Sequence, residues 1–113
     1  MRGSKAAGGV CCGARDAYSS STITRITQNS ASQTLLAANP LRRQFFVHNS
    51  GSGPLYVALD DAAVPPGGSS PHWSFILPIG TVYESPRDCY QGAVAGVWDA
   101  DDPAQYALVT EGF

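Results

Sequence analysis

Short runs rich in β-branched and aromatic residues recur along the chain, and turn-forming residues stop each run. The runs start at intervals close to the roughly 8–12 residues that are typical of β-sandwiches and barrels. No segment has a helical period and no crossover helix separates the runs, so mostly antiparallel pairing is expected. We therefore predict an all-β fold, an antiparallel β-sandwich or jelly roll of about eight short strands. The predicted strands are 22–28, 33–38, 44–49, 55–60, 72–77, 81–84, 93–99 and 105–110.

The length of 113 residues is that of one small domain. Residues 1–20 are rich in Gly, Ala and Ser and have no strand or helix period, so we predict a flexible N-terminal arm followed by a sandwich over 21–113. Two interpretations of the arm stay open, a disordered terminus and an arm that becomes ordered against a neighbouring subunit. The predicted core residues are Leu35, Phe46, Leu55, Val57, Leu59, Phe75, Leu77, Val94, Val97, Trp98, Tyr106 and Leu108.

The charge pattern argues against nucleic-acid and membrane partners. The formal net charge is −2, and the seven basic residues are scattered apart from the adjacent Arg42 and Arg43. Nucleic-acid binders normally carry a basic patch or stripe. No apolar run approaches the roughly 18–20 residues that cross a bilayer, and the N-terminus has no signal-peptide core. We expect the chain to be made and kept in a cytosol-like compartment.

The cysteines do not form a disulfide framework. Cys11 and Cys12 are adjacent, Cys89 is distant, and the odd count leaves one thiol unpaired. Neither His48 nor His72 lies in a metal-ligand spacing. We expect ordinary thiols, no metal and no cofactor.

No catalytic motif is evident in the sequence. No serine lies in a GxSxG elbow, and His48 has the pattern of a polar side chain on the outward face of a strand. The acidic cluster Asp99, Asp101 and Asp102 lacks the glycine and glutamate of a calcium loop, so we predict a solvated turn. We expect no enzymatic activity.

One arrangement of turn and core residues is more specific, and it covers roughly residues 30–113. Its segments are AANP, RR, FFVHNS, LYV, LPIGTVYE, YQGAVAGVW and VTE. The arrangement resembles small virion proteins of tailed bacteriophages and prophages, β-sandwich or jelly-roll proteins that decorate or cement capsids or form head fibres. The resemblance implies a homotrimer on the capsid surface of the virion, made in the host cytoplasm, with the major capsid protein as partner. The alternative is a tail, baseplate or head-fibre module that binds host carbohydrate.

Several residues of the pattern have physical interpretations of their own. Asn39-Pro40 predicts a turn. Of Arg42 and Arg43, one is expected to pair with Glu84 or Glu111, and the other to face solvent or a partner. Gly92 and Gly96 predict a close approach or a bulge, and Trp98 fills the sandwich. Tyr and Trp are enriched at protein interfaces, as is Arg. The candidate protein-interface residues are Arg15, Tyr18, Arg42, Arg43, Trp73 and Tyr90.

Overall fold

The structure is a computed structural model that describes residues 20–86 and 90–113. All eight predicted strands are present, most of them shorter than expected. The described chain has no helix, so none that could cross a membrane. The strands are β1 (Ser21–Gln28), β2 (Gln33–Leu36), β3 (Gln44–Ser50), β4 (Leu55–Ala58), β5 (Phe75–Leu77), β6 (Val82–Glu84), β7 (Val94–Val97) and β8 (Asp102–Gly112).

The strands form two four-stranded antiparallel sheets. Sheet A has the order β1-β8-β3-β6, and sheet B has the order β2-β7-β4-β5. The first four strands pair with the last four in reverse order, β1 with β8, β2 with β7, β3 with β6 and β4 with β5. This is the pairing of one long hairpin rolled into two layers, which is the jelly roll. The predicted fold class is confirmed.

The core lies between the inward faces of the two sheets. Burial alternates along β3, where Phe45, Val47 and Asn49 are buried, because successive side chains of a strand point to opposite faces. Trp98 is fully buried, as expected of the largest side chain in the sandwich. The predicted core residues that are buried are Leu35, Leu55, Val57, Leu77, Val94, Val97 and Trp98.

The predicted phase of two sheet A strands is wrong by one residue. Phe46 on β3 and Tyr106 and Leu108 on β8 are only partly buried and lie on the outward face, whereas Ala107 and Val109 are buried. Both faces of these strands carry apolar side chains, so alternation alone does not say which one is inside. Leu59 and Phe75, also predicted as core, are partly buried against it.

The centre of the outward face of sheet B is covered by the chain itself. All four residues of β4 and all four of β7 are buried, although each strand has two faces. Tyr56, Ala58 and Val97 form a second cluster with Ala63 and the partly buried Trp73, which belong to the connection between β4 and β5. The two central strands of sheet B are therefore covered on both sides, while Ile76 on the edge strand β5 is 47% exposed on the outward face.

Aromatic rings close one side of the sandwich. Phe75 of β5 stacks on Tyr83 of β6 with the ring centroids 4.4 Å apart, and Tyr83 also contacts Phe45. The opposite side is more open, since Thr22 and Thr24 of β1 share the inward-facing phase and are nevertheless exposed. Strand β1 therefore extends past the cover that sheet B provides.

A buried polar cluster joins the two sheets. The Asn49 amide nitrogen donates to the carbonyls of Gly53 and Leu77, both at 2.9 Å. The Asn49 side-chain oxygen accepts from the Gly51 backbone N–H at 2.9 Å and from Trp98 Nε1 at 3.3 Å. Both the nitrogen and the oxygen of this fully buried amide therefore have hydrogen-bond partners, as burial of a polar group requires.

Glycine permits close approach at both predicted positions. A Cβ at Gly96 would lie about 3 Å from terminal methyl carbons of Leu35 and Leu55, and one at Gly92 would collide with the Tyr90 ring. The close neighbours are thus side chains, and the β2–β7 register has an irregularity between Thr34 and Leu36, opposite this part of β7. The acidic turn also differs from its prediction, because β8 already begins at Asp102 and includes Pro103.

Candidate interaction surface

The outward face of sheet A carries five apolar side chains. The register aligns Ile23, Thr110 and Phe46 in one row across three strands, and Leu108, His48 and Val82 in the next row. Burial places Val47 and Val109 inward, so the residues in these rows, which have the opposite phase, face outward. We call this set the sheet A face. Its apolar members are Ile23, Phe46, Val82, Tyr106 and Leu108.

The described chain leaves the sheet A face uncovered, whereas the β4–β5 connection covers the centre of the outward face of sheet B. Ile23 is 69% exposed and Val82 is 58% exposed, while Phe46, Tyr106 and Leu108 are partly exposed. With strands about 4.8 Å apart, the four strands span roughly 14 Å from β1 to β6. A sheet surface with several exposed apolar side chains is typical of a protein-interaction site rather than a site for a small molecule.

Charges lie at the margins of the sheet A face. The Arg25 guanidinium carbon lies 4.1 Å from the centroid of the Tyr106 ring, a cation–π contact. At the other edge, the Glu84 carboxylate accepts a 3.0 Å bond from Gln44 Nε2. The two central strands carry Thr110 and His48 beside Phe46 and Leu108, and one positive and one negative side chain lie on opposite edge strands.

The Asn39-Pro40 turn forms as predicted and positions Arg42. The Asn39 side-chain oxygen accepts from the Leu41 N–H at 3.0 Å, and the Asn39 carbonyl accepts from the Arg42 N–H at 3.2 Å. An asparagine that bonds two residues ahead is a common way of fixing a turn. The turn directs the Arg42 side chain into the protein.

Arg42 is an internal ion-pair residue rather than an exposed interface residue. Its side chain is fully buried, and Nε donates to a Glu111 carboxylate oxygen at 2.7 Å. The two terminal nitrogens donate to the carbonyls of Tyr90, Gly92 and Ala37 at 2.6–3.0 Å. The expected arginine–glutamate pair is therefore present, with Glu111 as the partner. Its guanidinium is used inside the fold, so Arg42 drops out of the candidate interface set.

The other interface candidates are spread over the molecule. Arg43 is exposed, and its backbone N–H donates to the Gly112 carbonyl. Trp73 packs on Tyr56 with ring centroids 5.3 Å apart, and it helps to cover sheet B. Tyr90 is exposed, and its ring lies so close to Gly92 that a Cβ there would collide with it. These three residues do not form one site with the sheet A face.

Some candidates lie in parts of the chain that the structure does not describe. Arg15 and Tyr18 belong to the predicted arm, and that arm lies outside the described residues except for Ser20. Cys11, Cys12 and Cys89 are also outside them. The expectations for these five residues stay predictions.

The acidic side chains serve local structure. Asp101 accepts from both the backbone N–H and the hydroxyl of Ser30, and these bonds lower the pKa of Asp101. Asp99 accepts from the Tyr56 hydroxyl at 3.1 Å, and burial together with this carboxylate raises the pKa of Tyr56.

The histidines are held by neighbouring side chains. His72 lies 3.0 Å from Asp60, whose pKa is lowered by hydrogen bonds from the Asp61 N–H and from His72. His48 lies on the sheet A face, with Nδ1 3.0 Å from the Ser50 hydroxyl. Over residues 20–86 and 90–113, no three His, Cys, Asp or Glu side chains are grouped to hold a metal ion.

Sequence reasoning did not identify the sheet A face. Ile23 and Val82 were not singled out, and Phe46, Tyr106 and Leu108 were assigned to the core. The expected arginine–glutamate pair was the nearest signal. Glu111 shares its phase with Ala107 and Val109, but the sequence did not predict that the arginine is buried, so the pair did not identify the inward phase.

Comparisons of this chain with protein-family models, with curated proteins and with solved structures gave no match.

Proposed function

We propose that this chain is a structural virion protein of a tailed bacteriophage, a non-enzymatic decoration protein that cements the head by bridging neighbouring capsid subunits. In this proposal it acts as a homotrimer on the capsid surface and binds the major capsid protein. The resemblance of residues 30–113 to small virion proteins is one support. The observation that carries the proposal is the exposed sheet A face on a jelly roll whose other sheet has its two central strands covered on both sides.

Cementing needs buried area across subunits and no chemistry. A protein that binds the assembled shell but not its free parts stabilises the shell by mass action. The sheet A face offers five apolar side chains, and only 14% of the residues of the chain are charged, so little charge has to be desolvated. The buried side chains of Arg42 and Asn49 have hydrogen-bond partners inside the domain, so they need no contact with the partner protein.

Binding of purified protein to heads that lack it tests the proposal. We expect wild-type protein to bind and Val82→Lys to lose affinity at least tenfold, because a lysine charge would be desolvated in the contact. The matched control is Leu41→Lys, since Leu41 is 74% exposed but lies in the β2–β3 connection, off the sheet A face. The control should bind within about twofold of wild type.

Two results would contradict the proposal. One is wild-type protein that does not bind heads. The other is Val82→Lys protein that binds as well as Leu41→Lys protein while both have the wild-type unfolding midpoint.

A second candidate function is a carbohydrate-binding module on a tail, baseplate or head fibre. The observation that favours it is the partly exposed Trp73 beside Tyr56, whose hydroxyl bonds the Asp99 carboxylate, since aromatic rings and carboxylates together bind sugars. Binding of host-surface glycans that Trp73→Ala abolishes, with head binding unchanged, would favour this function over the capsid role.

A further inference from the structure

Strand β1 has a long open edge. In the described part of the chain it pairs with β8 alone, and it has eight residues where the other edge strands β2, β5 and β6 have three or four. Proteins protect such edges with proline, lysine, bulges or short length. Strand β1 has no proline, and its register irregularity lies only at its end, between Thr27 and Gln28. Its one charged side chain, Arg25, is held over Tyr106.

The hydrogen-bond pattern shows which backbone groups point to the open edge. The Phe113 N–H donates to the Ser20 carbonyl at 2.9 Å, so this pair is a hydrogen-bonded one in the β1–β8 ladder. Hydrogen-bonded and non-hydrogen-bonded pairs alternate along an antiparallel ladder. The N–H and C=O groups of Ser21, Ile23 and Arg25 therefore point away from β8, toward the open edge.

We propose that the open edge pairs with β1 of a second copy of this chain, antiparallel, about a two-fold axis through Ile23. A two-fold axis perpendicular to the sheet keeps the sheet A faces of both copies on one side. Ile23 then lies opposite Ile23 of the second copy, and Ser21 lies opposite Arg25. The three outward-pointing residues of each strand make six backbone hydrogen bonds. Thr22 lies opposite Thr24 twice, a favourable cross-strand pair.

Charge favours this register, and the exposed apolar side chain of Ile23 favours a second copy as the occupant. A two-fold axis through Arg25 would place two arginines directly opposite each other, which is unfavourable. The axis through Ile23 instead separates the two Arg25 residues by four positions, about 14 Å along the strands. It also covers the 69% exposed Ile23 with its own counterpart, and both Thr22 and Thr24 have room because sheet B does not cover them.

The result is one continuous eight-stranded sheet across two copies, with the two sheet A faces side by side. A contact through one strand edge is small, below the ~1,200 Å² of stable interfaces, so we expect weak association in dilute solution. High local concentration on a shell would favour it. The pairing does not depend on the capsid role, but its use in joining one homotrimer to the next rests on the proposed function.

Cysteine trapping of the free protein tests the pairing. In a background with Cys11, Cys12 and Cys89 changed to Ser, Ile23→Cys places two thiols on residues with Cα atoms about 5.5 Å apart, within disulfide range. The matched control is Thr27→Cys on the same face, because the two copies of residue 27 would lie about 27 Å apart. We expect the Ile23→Cys dimer to form at least tenfold faster under mild oxidation. Equal rates, or no dimer from Ile23→Cys, would overturn the proposal.

A second measurement uses the native cysteines. Ile23→Pro removes an N–H that points to the open edge and leaves the β1–β8 bonds in place. We expect concentration-dependent association by sedimentation, of single chains or of homotrimers, that Ile23→Pro reduces at least tenfold with an unchanged circular dichroism spectrum. A homotrimer that persists in Ile23→Pro protein belongs to the proposed function, whereas any further association that survives Ile23→Pro would refute the edge contact. Dimer trapping without head binding would refute only the capsid role, and head binding without trapping would refute only the pairing.

Discussion

Replacement of Arg42 by Met should be one of the most damaging single changes to this fold. The Arg42 guanidinium is completely buried and makes four hydrogen bonds, one of them to the Glu111 carboxylate, which is only 12% exposed. Methionine fills similar space but leaves that carboxylate and three carbonyls without their donor. Breaking a buried ion pair from one side costs about 3–5 kcal/mol. The total free energy of unfolding of such a domain is about 5–15 kcal/mol, so this loss is a large share of it. At about 4 °C or more for each kcal/mol lost, Tm should fall by at least roughly 12 °C.

Urea and thermal unfolding followed by Trp fluorescence and circular dichroism measure this loss. The matched control is Arg43→Met, one position away on an exposed side chain, where the cost should stay below about 1 kcal/mol. The double change Arg42→Met with Glu111→Leu should recover part of the stability, because no buried charge is then left unpaired. A loss below about 1 kcal/mol for Arg42→Met alone would refute the assigned role.

Four further outcomes are expected. Asn49→Ala should lower the free energy of unfolding in urea by about 1–3 kcal/mol or more, because buried partners lose their bonds; a loss under 0.5 kcal/mol, about the usual surface effect, would contradict this. Gly80 has φ of 77°, so Gly80→Ala should cost about 1–2 kcal/mol, and an unchanged midpoint would show that the turn tolerates a side chain. The carboxyl of Asp101 should titrate by NMR below the ordinary aspartate value, and Ser30→Ala should raise its pKa; since the folded pKa is lowered, its contribution to stability is lost as pH falls through that value. Deletion of residues 1–20 should leave cooperative unfolding intact and weaken head attachment; an unfolded truncated protein would place the arm in the core.

The sequence predicts strands well here because local signals define them. Turn residues such as Asn39-Pro40 and the glycine-rich segment after β3 stop each apolar run, so all eight strands were expected. Strand ends were less accurate, because the ladder decides where pairing stops. Strand β5 begins at Phe75 rather than His72, which instead pairs with Val64 in an isolated bridge.

The candidate surface was not predictable from alternation alone. Phe45 and Phe46 are adjacent and equally apolar, and nothing local decides which one faces the other sheet. That choice depends on partners far along the chain, such as the pairing of β3 with β8 and the burial of Asn49 beside Trp98. The buried role of Arg42 was half predicted, since a glutamate partner was expected but an interior position was not.

The copy number of this protein in purified heads tests the central claim most directly. Quantitative mass spectrometry of heads separated from tails gives its molar ratio to the major capsid protein. A decoration protein at repeated sites on the shell should be present in a fixed ratio to the major capsid protein, set by capsid symmetry, with on the order of hundreds of copies per head. Its presence only in the tail fraction, or in a few copies per particle, would contradict the capsid role and favour the carbohydrate-binding alternative.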